Sequence, residues 1–136
     1  MIKLKTPAEV ELIRQSAGLV ADTLEYLGPH VQPGVTTRQL DKLAEAFIRR
    51  HGGVPSFLGY RGYKYSICAS VNDEVVHGLP GPRALKEGDV ISIDVGVYMN
   101  GFHGDAARTF PVGPIRLEAQ KLLDVTRESL MKGVAQ

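Results

Sequence analysis

The stretch that most constrains this chain runs from Val90 to Phe110, VISIDVGVYMNGFHGDAARTF. It predicts two strands joined by a two-residue turn at Asn100-Gly101. Asn-Gly between alternating apolar residues is a strong hairpin signal, because both turn positions need a positive φ. With that turn, Met99 pairs with Phe102, Gly96 with Asp105, and Asp94 with Ala107. Paired residues share a face, and the face repeats every second residue. Ser92, Asp94, Gly96, Tyr98, His103, Asp105 and Ala107 are therefore expected on one side. Ile91, Ile93, Val95, Val97, Met99 and Phe102 fall on the other, which reads as a core face.

This register has a chemical consequence. Asp94 and Asp105 become diagonal neighbours, with Cα atoms roughly 7–8 Å apart. Two carboxylates converging on an apolar hairpin repel one another and lose hydration. A pair of divalent metals about 3.5–4 Å apart would fit between them, one carboxylate bridging. The alternative is an exposed sheet face on which both aspartates point at water. Aspartate is a poor strand former, so two on one face of such a hairpin call for a reason.

Two helices are expected before the hairpin. Thr6-Pro7-Ala8-Glu9 combines a capping residue, a proline at the first helical position and a capping-box glutamate. Val10, Ile13, Ala17, Val20, Leu24 and Leu27 follow at helical spacing, and Gly28-Pro29 ends the run. Thr36 and Gln39 suggest a second capping box, followed by Leu40, Leu43, Ala44, Phe47 and Ile48 and stopped by Gly52-Gly53. Both helices are amphipathic and are expected to pack on one layer, most simply a sheet. Pro55 to Tyr65 is a loop rich in glycine and tyrosine, either a surface loop or an apolar pocket wall. Ser66–Val71 reads as a strand, Asn72-Asp73 as a turn, and Glu74–His77 as a second short strand before Gly78-Leu79-Pro80. Leu85–Asp89 is a turn feeding the hairpin. A last helix follows Gly113-Pro114, with Ala119, Leu122, Leu123, Leu130 and Val134 on its apolar side. It runs to Gln136 without a stop signal, as expected of a chain cut short.

The 136 residues suffice for one domain with a core, and a net charge of +1 gives no reason to expect a nucleic-acid or anionic-membrane surface. The single cysteine, Cys68, excludes an internal disulfide and suits a reducing cytoplasm. No segment reads as a membrane span, and the N-terminal residues lack the apolar run of a signal peptide.

VNDEVVHGLP, LGYRGYKYSIC and GDVISIDVGVYMNGFHGDAARTF, in that order, resemble the first half of a type I methionine aminopeptidase. The likeness extends from TPAEVELIRQSA to the final helix. It implies an α+β chain, the first half of a pita-bread fold. An antiparallel sheet would carry two amphipathic helices on one face, and the C-terminal helix would begin a missing second half. Residues 1–136 would form a single truncated catalytic domain. The implied activity is removal of the N-terminal methionine from nascent polypeptides by water activated between two divalent ions, with Co, Mn, Fe and Zn all compatible. By resemblance Asp94 and Asp105 are metal ligands, Asp105 bridging. His77 hydrogen-bonds substrate near the scissile amide. Tyr60, Tyr63 and Cys68 line the pocket for the methionine side chain, where aromatic walls and a soft sulfur suit a thioether.

The sequence departs from the family in three places. Phe57 stands where many relatives carry a smaller residue, and Arg61 where many carry histidine. Family members are also roughly twice as long. Their second half supplies one histidine and two glutamates to the metal site, and nothing after Asp105 here replaces them. His103 reads as a supporting residue, and His30 and His51 as solvated. A chain with half a site is expected to bind metal weakly, hydrolyse little and self-associate through its exposed edge. An inactive half-fold or a non-catalytic pita-bread binding module stays open beside the enzyme.

Overall fold

The computed structural model describes residues 4–136; the first three positions of the N-terminal segment lie outside the described residues. Among the described residues three α-helices, α1 (Pro7–Leu27), α2 (Thr37–Arg50) and α3 (Leu117–Val134), accompany four strands. These are β1 (Val54–Pro55), β2 (Ile67–Val71), β3 (Val90–Met99) and β4 (Phe102–Pro111). All pairings are antiparallel. β3 is the centre: β4 runs along one edge, and β1 and β2 share the other, β1 opposite the end of β3 and β2 opposite its start.

The hairpin has the expected register. Met99 pairs with Phe102, Gly96 with Asp105 and Asp94 with Ala107. Asn100 and Gly101 take φ of 54° and 86°, the left-handed values their turn requires. Ile91, Ile93, Val95 and Val97 are fully buried beneath α1 and α2, together with Ile67, Ala69 and Val71 of β2. Both capping boxes form. The Thr6 and Thr36 side chains accept from the backbone N–H of Glu9 and Gln39, whose own side chains accept from the cap N–H.

The buried face of α1 keeps the expected Val20, Leu24 and Leu27 but is rotated in its first half. It comprises Ser16, Leu19, Val20, Thr23, Leu24 and Leu27, whereas Ala17 is exposed and Val10 is 44% exposed. Gly104 supplies the reason. A Cβ built there would lie 2.6 Å from Ser16 C and Ala17 N, so its missing side chain lets the helix backbone touch β4. Ser16 Oγ then donates into the turn, 3.0 Å from Met99 O and 3.1 Å from Phe102 O. A buried hydroxyl satisfied this way outweighs a stricter apolar stripe.

The expected strand over Glu74–His77 does not form. His77 has φ 58°, outside the strand region, and the segment meets β2 only near its ends: Val71 N donates to Glu74 Oε2 at 3.0 Å and Ala69 N to Gly78 O at 2.8 Å. Gly78 N donates to Ser70 Oγ at 3.0 Å, so Gly78 and the Glu74 carboxylate cover the open edge of β2 instead of a strand. His30 and His51 are not simply solvated. Their Nδ1 atoms lie 2.9 Å from Tyr26 O and 2.8 Å from Phe47 O, and their rings pack on a stacked Tyr26–Phe47 pair. α3 buries no residue, and Leu117, Leu130 and Val134 are largely exposed. Among the described residues no helix is long and apolar enough to cross a membrane.

Candidate metal centre

Helices α1 and α2 cover one face of the sheet, and the acids occupy the other. Cys68 pairs with Asp94 across β2–β3, and Gly96 with Asp105 across β3–β4. Paired residues share a face, so a thiol and two carboxylates sit on one surface with the glycine between them. Gly96 leaves room for another chain segment. A Cβ built there would lie 2.7 Å from Phe57 Cε1 and 3.0 Å from Ser56 Cβ.

Asp94 is the more unusual of the acids. Its Oδ1 is buried and has no hydrogen-bond partner among the described residues. Burial pushes its carboxyl above the ordinary value; the like charge of Asp105 pushes the same way, and His77 opposes them. An orphaned carboxylate oxygen beside a second carboxylate is what a cation site looks like without its cation, and oxygen donors suit divalent ions. The two acids therefore fit the expected metals as far as they go. No group of three His, Cys, Asp or Glu that could hold a metal occurs among the described residues.

His77 is exposed in the segment that Gly78 pins to β2, near enough to Asp94 for its charge to be felt. Tyr63 and Cys68 belong together. The tyrosine hydroxyl lies 2.9 Å from Ile67 O and donates toward Cys68 Sγ at 3.4 Å. Burial raises the pKa of both; the thiol is raised further by Asp94 and Asp105, while the Tyr63 hydrogen bond lowers it. Cys68 is accordingly a neutral soft wall. Tyr60 does not join that wall. It is 63% exposed in a short turn over Tyr60–Gly62, with the Arg61 guanidinium 5.4 Å from its ring centre.

Two participants lay beyond the sequence patterns. Asp41, on the buried side of α2, accepts from Ser66 N at 2.7 Å and Ile67 N at 3.2 Å, fixing the start of the Cys68 strand. Its spacing beside Leu40 and Ala44 was a weak signal. Ser56 Oγ lies 2.8 Å from His103 Nδ1, a pairing across 47 positions that no local pattern marks.

Comparison with known proteins bears on the family and the fold. The model of metallopeptidase family M24 matches residues 11–136. Methionine aminopeptidase 1 of Bacillus subtilis is 54% identical over 134 residues, covering 98% of this chain and 54% of that protein. A methionine aminopeptidase of Clostridium perfringens is 52% identical with the same coverage. The crystal structure of the Rickettsia prowazekii methionine aminopeptidase superposes with a TM-score of 0.95 at 40% identity, over 98% of this chain and 54% of that one. A Xaa-Pro dipeptidase from Bacillus anthracis, at 22% identity and TM-score 0.83 over 96% of this chain and 36% of its own, shares the fold. The chain thus spans about half the length of the curated relatives it matches, and carries half of a pita-bread architecture. With the family model matching nearly its whole length, the chain belongs to metallopeptidase family M24.

Proposed function

We propose that this chain is part of a metal-dependent aminopeptidase that removes the N-terminal methionine of nascent polypeptides in the cytoplasm. The observation that carries the reading is the buried, partnerless Asp94 Oδ1 on the same sheet face as Asp105. The names of the similar proteins support the reaction class. Asp94 and Asp105 would hold divalent ions. When bound, such ions supply a nucleophile at neutral pH and polarise the scissile carbonyl.

The chain's own residues do the rest. His77, held at a left-handed φ with Gly78 docked on β2, offers its imidazole to the substrate amide. Tyr63 and Cys68 present a ring and a neutral sulfur to the methionine thioether, while Tyr60 stands outside them in its exposed turn. The remaining ligands are one histidine and two glutamates that lie outside these 136 residues. The isolated chain therefore binds Mn²⁺ or Co²⁺ weakly and hydrolyses little.

Calorimetric titration of the chain with Mn²⁺, beside Asp94→Asn and Asp105→Asn, tests the site. Weak binding abolished by either substitution is expected, and binding that ignores both would refute it. Tight two-metal binding with normal turnover of a Met-peptide would refute the half-site account. The exposed apolar face of α3 favours self-association as a second property. Sedimentation showing only monomer at high concentration would exclude it.

A further inference from the structure

We propose that Ser56 and His103 form a latch holding the Phe57 ring across the mouth of the candidate site. The consequence for substrate choice rests on the aminopeptidase reading above; the latch itself does not.

Ser56 is bonded to both strands of the hairpin. Its N–H donates to Gly96 O of β3 at 2.9 Å, and its Oγ lies 2.8 Å from His103 Nδ1 of β4. His103 is braced in turn by the Tyr98 ring, with centroids 4.8 Å apart. His103 pairs with Tyr98, and Asp105 pairs with Gly96, so the latch is anchored in the same row as the acids. Phe57 follows Ser56 directly, and its ring fills the place a side chain at Gly96 would take. Gly96 flanks Asp94 along β3 and faces Asp105 across it, so the ring stands at the corner between the two carboxylates.

Backbone bonds alone do not fix that ring. The loop beyond Phe57 is tied by short-range turns, with Tyr60 N donating to Phe57 O and Gly59 N to Tyr63 O. The Ser56–His103 bond is the side-chain tie that secures its root to β4. A side chain reaching the acids from the β1 side must pass Phe57, so the latch makes Ser56 and His103 positioning residues that restrict entry to slender, unbranched groups.

The test is NMR on the isotope-labelled chain, using Gly96 Hα protons, which the Phe57 ring current displaces. Phe57→Leu defines the shift without the ring. Ser56→Ala and His103→Phe, which cut the bond from opposite sides, are expected to move Gly96 Hα most of the way to that value. They should speed exchange of the Ser56 and Tyr60 amides roughly 3- to 10-fold, as loss of one hydrogen bond implies, and leave the Val95 amide unchanged. Ser56→Thr, which keeps the hydroxyl, should restore both. Wild-type Gly96 shifts in Ser56→Ala and His103→Phe would overturn the latch. Titration with L-methioninol against L-valinol reads the consequence: preference for methioninol should fall roughly 3- to 10-fold when the latch is cut. No binding of methioninol by any form would count against the aminopeptidase reading, while Gly96 would still decide the latch.

Discussion

Adding one methyl group at Gly78 should displace His77 without touching it. Gly78 does not use a left-handed φ, so alanine is conformationally acceptable there and the effect is purely steric. The new Cβ would collide with Ala69 O and lie 2.7 Å from both Ala69 C and Glu74 Oε2. Glu74 can swing aside, but the β2 backbone cannot, because Ala69 is fully packed between Ile67 and Val71 in the core. The 77–79 segment must therefore lift. Two bonds fail together, Ala69 N to Gly78 O and Gly78 N to Ser70 Oγ. At about 0.5–1.5 kcal/mol each, their loss destabilises by about 1–3 kcal/mol. With a urea m-value of about 1–3 kcal/mol per molar, the midpoint should fall by on the order of 1 M. The imidazole should move from Asp94 at the same time, seen as changed His77 ring shifts in NMR. A Gly78→Ala midpoint within about 0.2 M of wild type, with unchanged His77 shifts, would show that the segment is not held as argued.

Two further outcomes follow from the same packing. Gly104→Ala should push α1 from β4 and stretch the Ser16 bonds to the turn, costing about 1–3 kcal/mol in urea unfolding; a silent substitution would mean the close approach is not what orients the helix. At Asp41, burial raises the carboxyl pKa above 3.8 despite the Ser66 and Ile67 amides that lower it. A raised carboxylate contributes its full stability at pH below the unfolded value and loses it as pH rises through the folded value. Asp41→Asn keeps an acceptor for both amides without the charge. It should therefore gain on wild type as pH climbs from acid to neutral, whereas Asp41→Ala should lose about 1–3 kcal/mol by orphaning them. Parallel stability–pH curves for Asn and wild type would refute the burial argument.

How much was legible depended on the range of the interactions. The hairpin register followed from Asn100-Gly101 because a turn needing two positive φ angles admits few alignments. The capping boxes at Thr6–Glu9 and Thr36–Gln39 were legible because both partners lie within one helical turn. Glu74–His77 misled because its composition suits a strand, while its backbone answers to Gly78 docking on Ala69. Tyr60 and Tyr63 are three residues apart in one loop, yet only Tyr63 turns inward to reach Ile67 and Cys68.

The sequence by itself determined that Asp94 and Asp105 share a face, since alternation along paired strands leaves no other outcome once the turn is set. It also determined where the helices begin. Only the tertiary structure decided that Ser16, Leu19 and Thr23 join Val20, Leu24 and Leu27 on the buried side of α1 in place of Val10 and Ala17, because the missing side chain of Gly104 acts on a helix more than eighty positions away. It alone tied Ser56 to His103 and Asp41 to Ser66, since hydrogen bonds between distant segments leave no periodicity in the chain.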